Sequence, residues 1–161
     1  MRILFALDKY RTHSGGADRL ARAAVQALET GGHEVRVLEA ALPTPLVRDG
    51  DWRTLADNRR WRPAVHEAIR TFRPERVLTQ NRLAPAAVAA ALAAGIRSVI
   101  LFHGYRCLSP TFFLGQDALT AAPTSFWNVT LRTRLKWPLV RRCLDLYAQA
   151  YRQAEQVIAN S

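Results

Sequence analysis

The chain has 161 residues, 49% of them hydrophobic and 22% charged. That is the length of one domain with a globular composition, which excludes disordered, collagen-like, low-complexity and disulfide-scaffold classes. Lysine and arginine total 23 against 13 acids, a formal net charge of +10, and only Lys9 and Lys136 are lysines. Arginine contacts phosphates and carboxylates bidentately. The charge therefore fits nucleic acid, an anionic membrane, a phosphate-bearing substrate or a merely solvated surface, and alone it does not choose.

Arg2 to Leu7 is a short apolar run, expected as a strand buried on both faces. A turn with Ser14-Gly15-Gly16 follows. A helix of about four turns comes next, its stripe made by Ala17, Leu20, Ala21, Ala24, Val25 and Leu28. Gly31-Gly32 stops it. Glu34 to Glu39 is a second strand, and strand–helix–strand predicts a right-handed parallel crossover. Ala40 to Arg60 reads as irregular. A helix is expected from Trp61 or Pro63 to Phe72, with Pro63 in its first turn and Pro74 ending it.

Arg76 to Thr79 is a third strand, Pro85 to Ala94 an alanine-rich helix, and Arg97 to Phe102 a fourth strand. His103 to Asn128 is aromatic and loop-like. A helix spans much of Leu131 to Ala154, with Leu135, Leu139, Cys143, Tyr147 and Tyr151 spaced by four and Pro138 starting or kinking it. Gln156 to Ala159 is a last strand. Alternating strands and helices indicate an open α/β sheet, mostly parallel, with helices on both faces.

Ile3 to Leu7 is too short for a signal-peptide core of roughly 7–15 residues. Pro85, Gly95, Arg97 and Ser98 divide the apolar stretch from Leu83 to Phe102 into two soluble elements. A cytoplasmic protein with Cys107 and Cys143 reduced is expected. Without a CxxC or paired histidines at ligand spacing, a metal site is not expected.

Two motifs carry chemistry. The turn from Asp8 to Asp18 places Gly15 and Gly16 at a helix start, where free N–H groups and the helix dipole favour an anion. A tight turn needing glycine for shape alone is the plain alternative. The dinucleotide and P-loop patterns are absent. His103-Gly104-Tyr105-Arg106 follows an apolar strand, at the edge where ligands bind in such sheets. His103 can hydrogen-bond a hydroxyl or a developing charge, or simply a neighbouring carbonyl. Arg106 suits a phosphate.

The opening, through Gly15-Gly16-Ala17-Asp18 and Gly32-His33-Glu34-Val35, resembles family-four glycosyltransferases of the GT-B type. The likeness continues in order through Arg73 to Asn81, through the strand ending at His103-Gly104-Tyr105-Arg106, and through Ala154 to Ser161. The resemblance implies a Rossmann-like N-terminal domain over residues 1–161, the acceptor-binding side of a two-domain enzyme. A C-terminal domain, absent from this chain, would bind most of a nucleotide-sugar donor. Gly15 and Gly16 would line the cleft near the donor phosphates, and His103 would take the active-site histidine position near the transferred sugar. Tyr105 and Arg106 would contact substrate. Retention of anomeric configuration without metal or cofactor is implied, with a saccharide or lipid-linked acceptor.

Asp18 stands where the family has glutamate, Gln80-Asn81 stand where a histidine is common, and Cys107 stands alone before Ser109-Pro110. Isolated, the chain is expected to be inactive until joined by its donor-binding half, in cis or as a separate chain. Two basic segments, Arg59-Arg60-Trp61-Arg62 and Arg132 to Trp137 with Arg141-Arg142, fit peripheral contact with an anionic membrane, a solvated face or contact with the other domain. The rival is a non-catalytic basic module binding anionic membrane or nucleic acid. No recognition helix or stacking platform is evident, so nucleic acid is not expected as a partner.

Overall fold

A computed structural model of the chain describes residues 1–7, 10, 16–40, 53–102 and 134–159. Among these residues, five strands form one all-parallel sheet in the order β2-β1-β3-β4-β5. The strands are β1 (Arg2–Leu7), β2 (Glu34–Glu39), β3 (Arg76–Gln80), β4 (Arg97–Phe102) and β5 (Gln156–Ala159). The helices are α1 (Gly16–Thr30), α2 (Arg53–Phe72), α3 (Ala84–Ala93) and α4 (Trp137–Gln153).

The continuous apolar run of β1 makes it central. From Ile3 to Leu7 every residue is buried, because helices cover both sheet faces. Phe5 and Leu7 face α1, packing with Ala21, Val25 and Leu101. Leu4 and Ala6 face the opposite layer, with Val65 and Ile69 of α2 and Ala87 and Ala91 of α3. Ile100 of β4 joins Ala84, Val88 and Ala150, which seats α4 beside α3 on that second face. Apolar all round, α3 is buried between its neighbours and the sheet, with Pro85 in its first turn.

Gly32 (φ 76°) and Gly95 (φ 68°) adopt the left-handed conformation after α1 and α3. In each, the following amide reaches back to close the helix: His33 N to Leu28 O at 3.0 Å and Ile96 N to Ala91 O at 2.9 Å.

Two expectations change. Helix α2 begins at Arg53, so Pro63 lies inside it. Packing holds the earlier turns despite the lost backbone bond: Trp61 rests on the core, and Asp57 pairs with Arg82. In α4, Pro138 sits in the first turn, and the buried stripe is Val140, Cys143, Tyr147 and Ala150. A spacing of four overshoots the helical repeat by about 40° per step. Leu139 thus winds off the packed face, 45% exposed, and Leu135, ahead of α4, is 79% exposed.

At the sheet's amino edge, Glu155 pairs with Arg97 (2.8 Å) and Arg76 (3.6 Å), and Glu75 accepts the Arg2 amide (2.9 Å). Among the described residues, no helix is long and apolar enough to cross a membrane.

Candidate active-site edge

The chain runs from β1 outward to β2, then returns past β1 to β3, β4 and β5. The order reverses between β1 and β3, and in open α/β sheets ligands bind at that point, outside the carboxyl ends of the strands. In chain order, Gly15-Gly16 comes after β1, and His103 comes directly after β4, the strand next to β3.

Gly16 is the first residue of α1 and is exposed. It is not among the left-handed glycines, and among the described residues beyond its own helix turn no heavy atom lies within 4 Å of where a Cβ would stand. Among the described residues, neither backbone conformation nor packing requires glycine here. In general the first N–H groups of a helix favour an anion. Asp18, 8% exposed, sits in the same first turn, where its charge suits the helix dipole.

The loop out of β1 is pinned at Tyr10. Its amide donates to Glu39 Oε1 (2.8 Å), and its carbonyl accepts from Arg22 (3.3 Å). The loop is thereby tied to the end of β2 and to α1. Its ring packs on the cluster beneath α1.

The end of β3 is polar and buried. Gln80 pairs in register with Leu101 and is fully buried, while Thr79 faces the second helical layer opposite Ala6. The 3-10 turn Asn81–Leu83 then brings in Arg82, whose guanidinium donates to the Asp57 carboxylate of α2. This pair is nearly dry, its side chains 3% and 14% exposed. At the end of β4, Phe102 meets Tyr151 of α4 edge-to-face, centroids 5.5 Å apart.

Of the sequence-predicted site residues, Gly16 is at this edge. Gly15, His103, Tyr105 and Arg106 lie outside the described residues. The sequence did not single out Tyr10, Arg82 or Asp57. Arg82 borders an apolar run, and its partner lies 25 residues away, four residues before the position where α2 was expected to begin. No local signal joins them.

The family model described as Glycosyltransferase Family 4 matches residues 14–161, from the glycine turn through the last strand. No curated protein matches. Among solved structures, LpCGTa bound to UDP is 12% identical over 99% of this chain and 47% of its own, with a TM-score of 0.53. A UGT transferase from Siraitia grosvenorii bound to UDP is 10% identical, covering 100% of this chain and 42% of its own, with a TM-score of 0.54. A UDP-glucosyltransferase from Polygonum tinctorium, capable of glucosylating indoxyl and complexed with 3,4-dichloroaniline, is 15% identical over 99% and 46%, with a TM-score of 0.50. At these identities the likeness is one of fold, and the chain spans less than half the length of each. With the family match running from the glycine turn to the end of a GT-B-like sheet, the chain belongs to glycosyltransferase family 4.

Proposed function

We propose that this domain is the acceptor-side half of a retaining glycosyltransferase. It moves a sugar from a nucleoside diphosphate donor to a hydroxyl of a saccharide or lipid-linked acceptor, as in polysaccharide biosynthesis. In the reaction, the bond from the anomeric carbon to the diphosphate breaks, a bond to the acceptor oxygen forms on the same face of the sugar, and the acceptor hydroxyl's proton passes to the departing diphosphate. A second, donor-binding domain supplies the opposite wall of the cleft. In support, the solved neighbours are about twice this chain's length, and two of them hold UDP.

The observation that carries the proposal is Gly16. It is a glycine whose Cβ position meets no packing among the described residues, at the helix start of the switch-point edge, inside the family match. In this role Gly15 and Gly16 give the diphosphate close backbone access. His103 stabilises charge developing on the departing sugar, and Arg106 and Tyr105 contact substrate.

The test is turnover of His103→Ala in a protein carrying both domains, with a UDP-sugar as donor. Removing one transition-state donor typically costs about 10²–10³ in kcat. A loss of about that size is expected, and unchanged turnover refutes the role.

A further inference from the structure

We propose that Glu39 and Arg22 are positioning residues for donor binding: together they hold the backbone of Tyr10, and through it the chain that leads into Gly16. The proposal rests on the reading of this edge as a sugar-transfer cleft, and its test separates the two.

Tyr10 is the only described residue between β1 and α1. Side chains from two other elements take both of its main-chain polar groups. Its amide donates to Glu39 Oε1 at 2.8 Å, and its carbonyl accepts from Arg22 Nη1 at 3.3 Å. Both bonds are partly buried, and each has a carboxylate or a guanidinium at one end, which makes it stronger than a neutral bond. The phenol ring adds a third hold, packed on the cluster of Phe5, Leu7, Ala21 and Val25.

The two anchors stand on rigid neighbours. Glu39 ends β2 in register with Leu7 of β1, and the next amide, Ala40 N, closes onto Leu7 O at 2.9 Å. Arg22 lies in α1, fewer than two helical turns after Gly16. The chain therefore leaves β1 at Leu7, is fixed at Tyr10 to both β2 and α1, and arrives at Gly16. A segment ordered by folding does not have to be ordered by the ligand, so binding loses less conformational entropy.

The place of Glu39 in the sheet sharpens the assignment. In dinucleotide-binding α/β domains, an acid about 20 residues beyond the glycine turn bonds a ribose hydroxyl. Glu39, at the end of β2, gives its Oε1 to the protein's own main chain instead. That use of the acid fits a cleft whose nucleoside is held on the opposite wall, with β2 acting on the donor only through the loop it anchors.

The experiment has two readouts. Amide hydrogen exchange on the 161-residue chain follows Tyr10, with Ala40 as an internal control for the sheet edge. Titration with UDP of a protein carrying both domains follows donor binding. Glu39→Ala is expected to speed exchange at Tyr10, leave Ala40 protected, and weaken UDP about ten-fold, the order expected for freeing one residue's backbone. In turnover, KM for the UDP-sugar rises while kcat holds. Glutamine keeps an oxygen that accepts the amide, so Glu39→Gln is expected to recover most of both effects. Arg22→Ala removes the longer bond and is expected to weaken UDP by less. A Glu39→Ala variant in which Tyr10 stays protected, or a Glu39→Gln variant no better than Glu39→Ala, overturns the proposal. So does loss of protection at Ala40 together with Tyr10, which marks collapse of the sheet edge. Gly16→Ala distinguishes the two readings. UDP weakened by Gly16→Ala but not by Glu39→Ala overturns the positioning role alone; UDP unaffected by either overturns the cleft reading with it.

Discussion

The ion pair between Arg82 and Asp57 gives the sharpest energetic prediction. It clamps the turn after β3 to α2 and so fixes the polar end of the central strands beside the candidate cleft. The Arg82 side chain is 3% exposed and that of Asp57 14%. Removing the carboxylate leaves a guanidinium in a nearly dry site, and breaking a buried pair costs about 3–5 kcal/mol. Asp57 keeps some contact with water, which places Asp57→Ala near the lower bound, at about 3 kcal/mol. That is a large share of the roughly 5–15 kcal/mol that holds a domain together. In urea, with a slope of about 2 kcal/mol/M for this size, the unfolding midpoint falls by about 1.5 M. Replacing both partners removes the buried charge as well, so Asp57→Ala with Arg82→Met recovers at least half of the loss. A midpoint shift below about 0.3 M for the single variant, or a double variant no more stable than the single, refutes the reasoning.

Gly95→Ala forces a side chain into a left-handed position at φ 68° and is expected to cost about 1 kcal/mol, read as a lower melting temperature. The exposed Glu67 is held below the usual carboxylate range, first by hydrogen bonds from Arg70 (2.7 and 2.9 Å) and then by its charge. A depressed carboxyl contributes stability above its unfolded pKa and loses it as pH falls through the lower folded value. Arg70→Ala therefore returns the Glu67 titration, followed by carbon-13 NMR, to the ordinary range. An unmoved titration contradicts the pairing.

The strands were the legible part of this sequence. β1, β2, β4 and β5 have the bounds read from the sequence; in β1 the apolar run marks a strand buried on both faces, while the edge strands β2 and β5 are partly exposed. Helix α2 was cut short in the sequence reading because Pro63 looks like a start signal. Only the tertiary contacts of Trp61 and Asp57 show why the helix continues through it. In α4 the residues spaced by four do not share one face: they precess around the helix, so Cys143 and Tyr147 are buried while Leu139 is exposed. At the candidate site, the sequence places a glycine pair ahead of a helix, and the structure starts α1 at Gly16. The Arg82–Asp57 clamp was invisible because it joins two elements distant in the chain.

The most direct test of the central claim is Gly16→Ala, measured for stability and for transfer from a UDP-sugar in a protein carrying both domains. Among the described residues, a Cβ at this position meets no packing within 4 Å and no left-handed backbone. The melting temperature should therefore hold or rise slightly. If the open space receives the donor diphosphate, kcat/KM falls at least about ten-fold, the equivalent of about 1.4 kcal/mol of lost transition-state contact. A Gly16→Ala variant that melts as before and transfers sugar at the parent rate contradicts the claim that this edge is a sugar-transfer cleft.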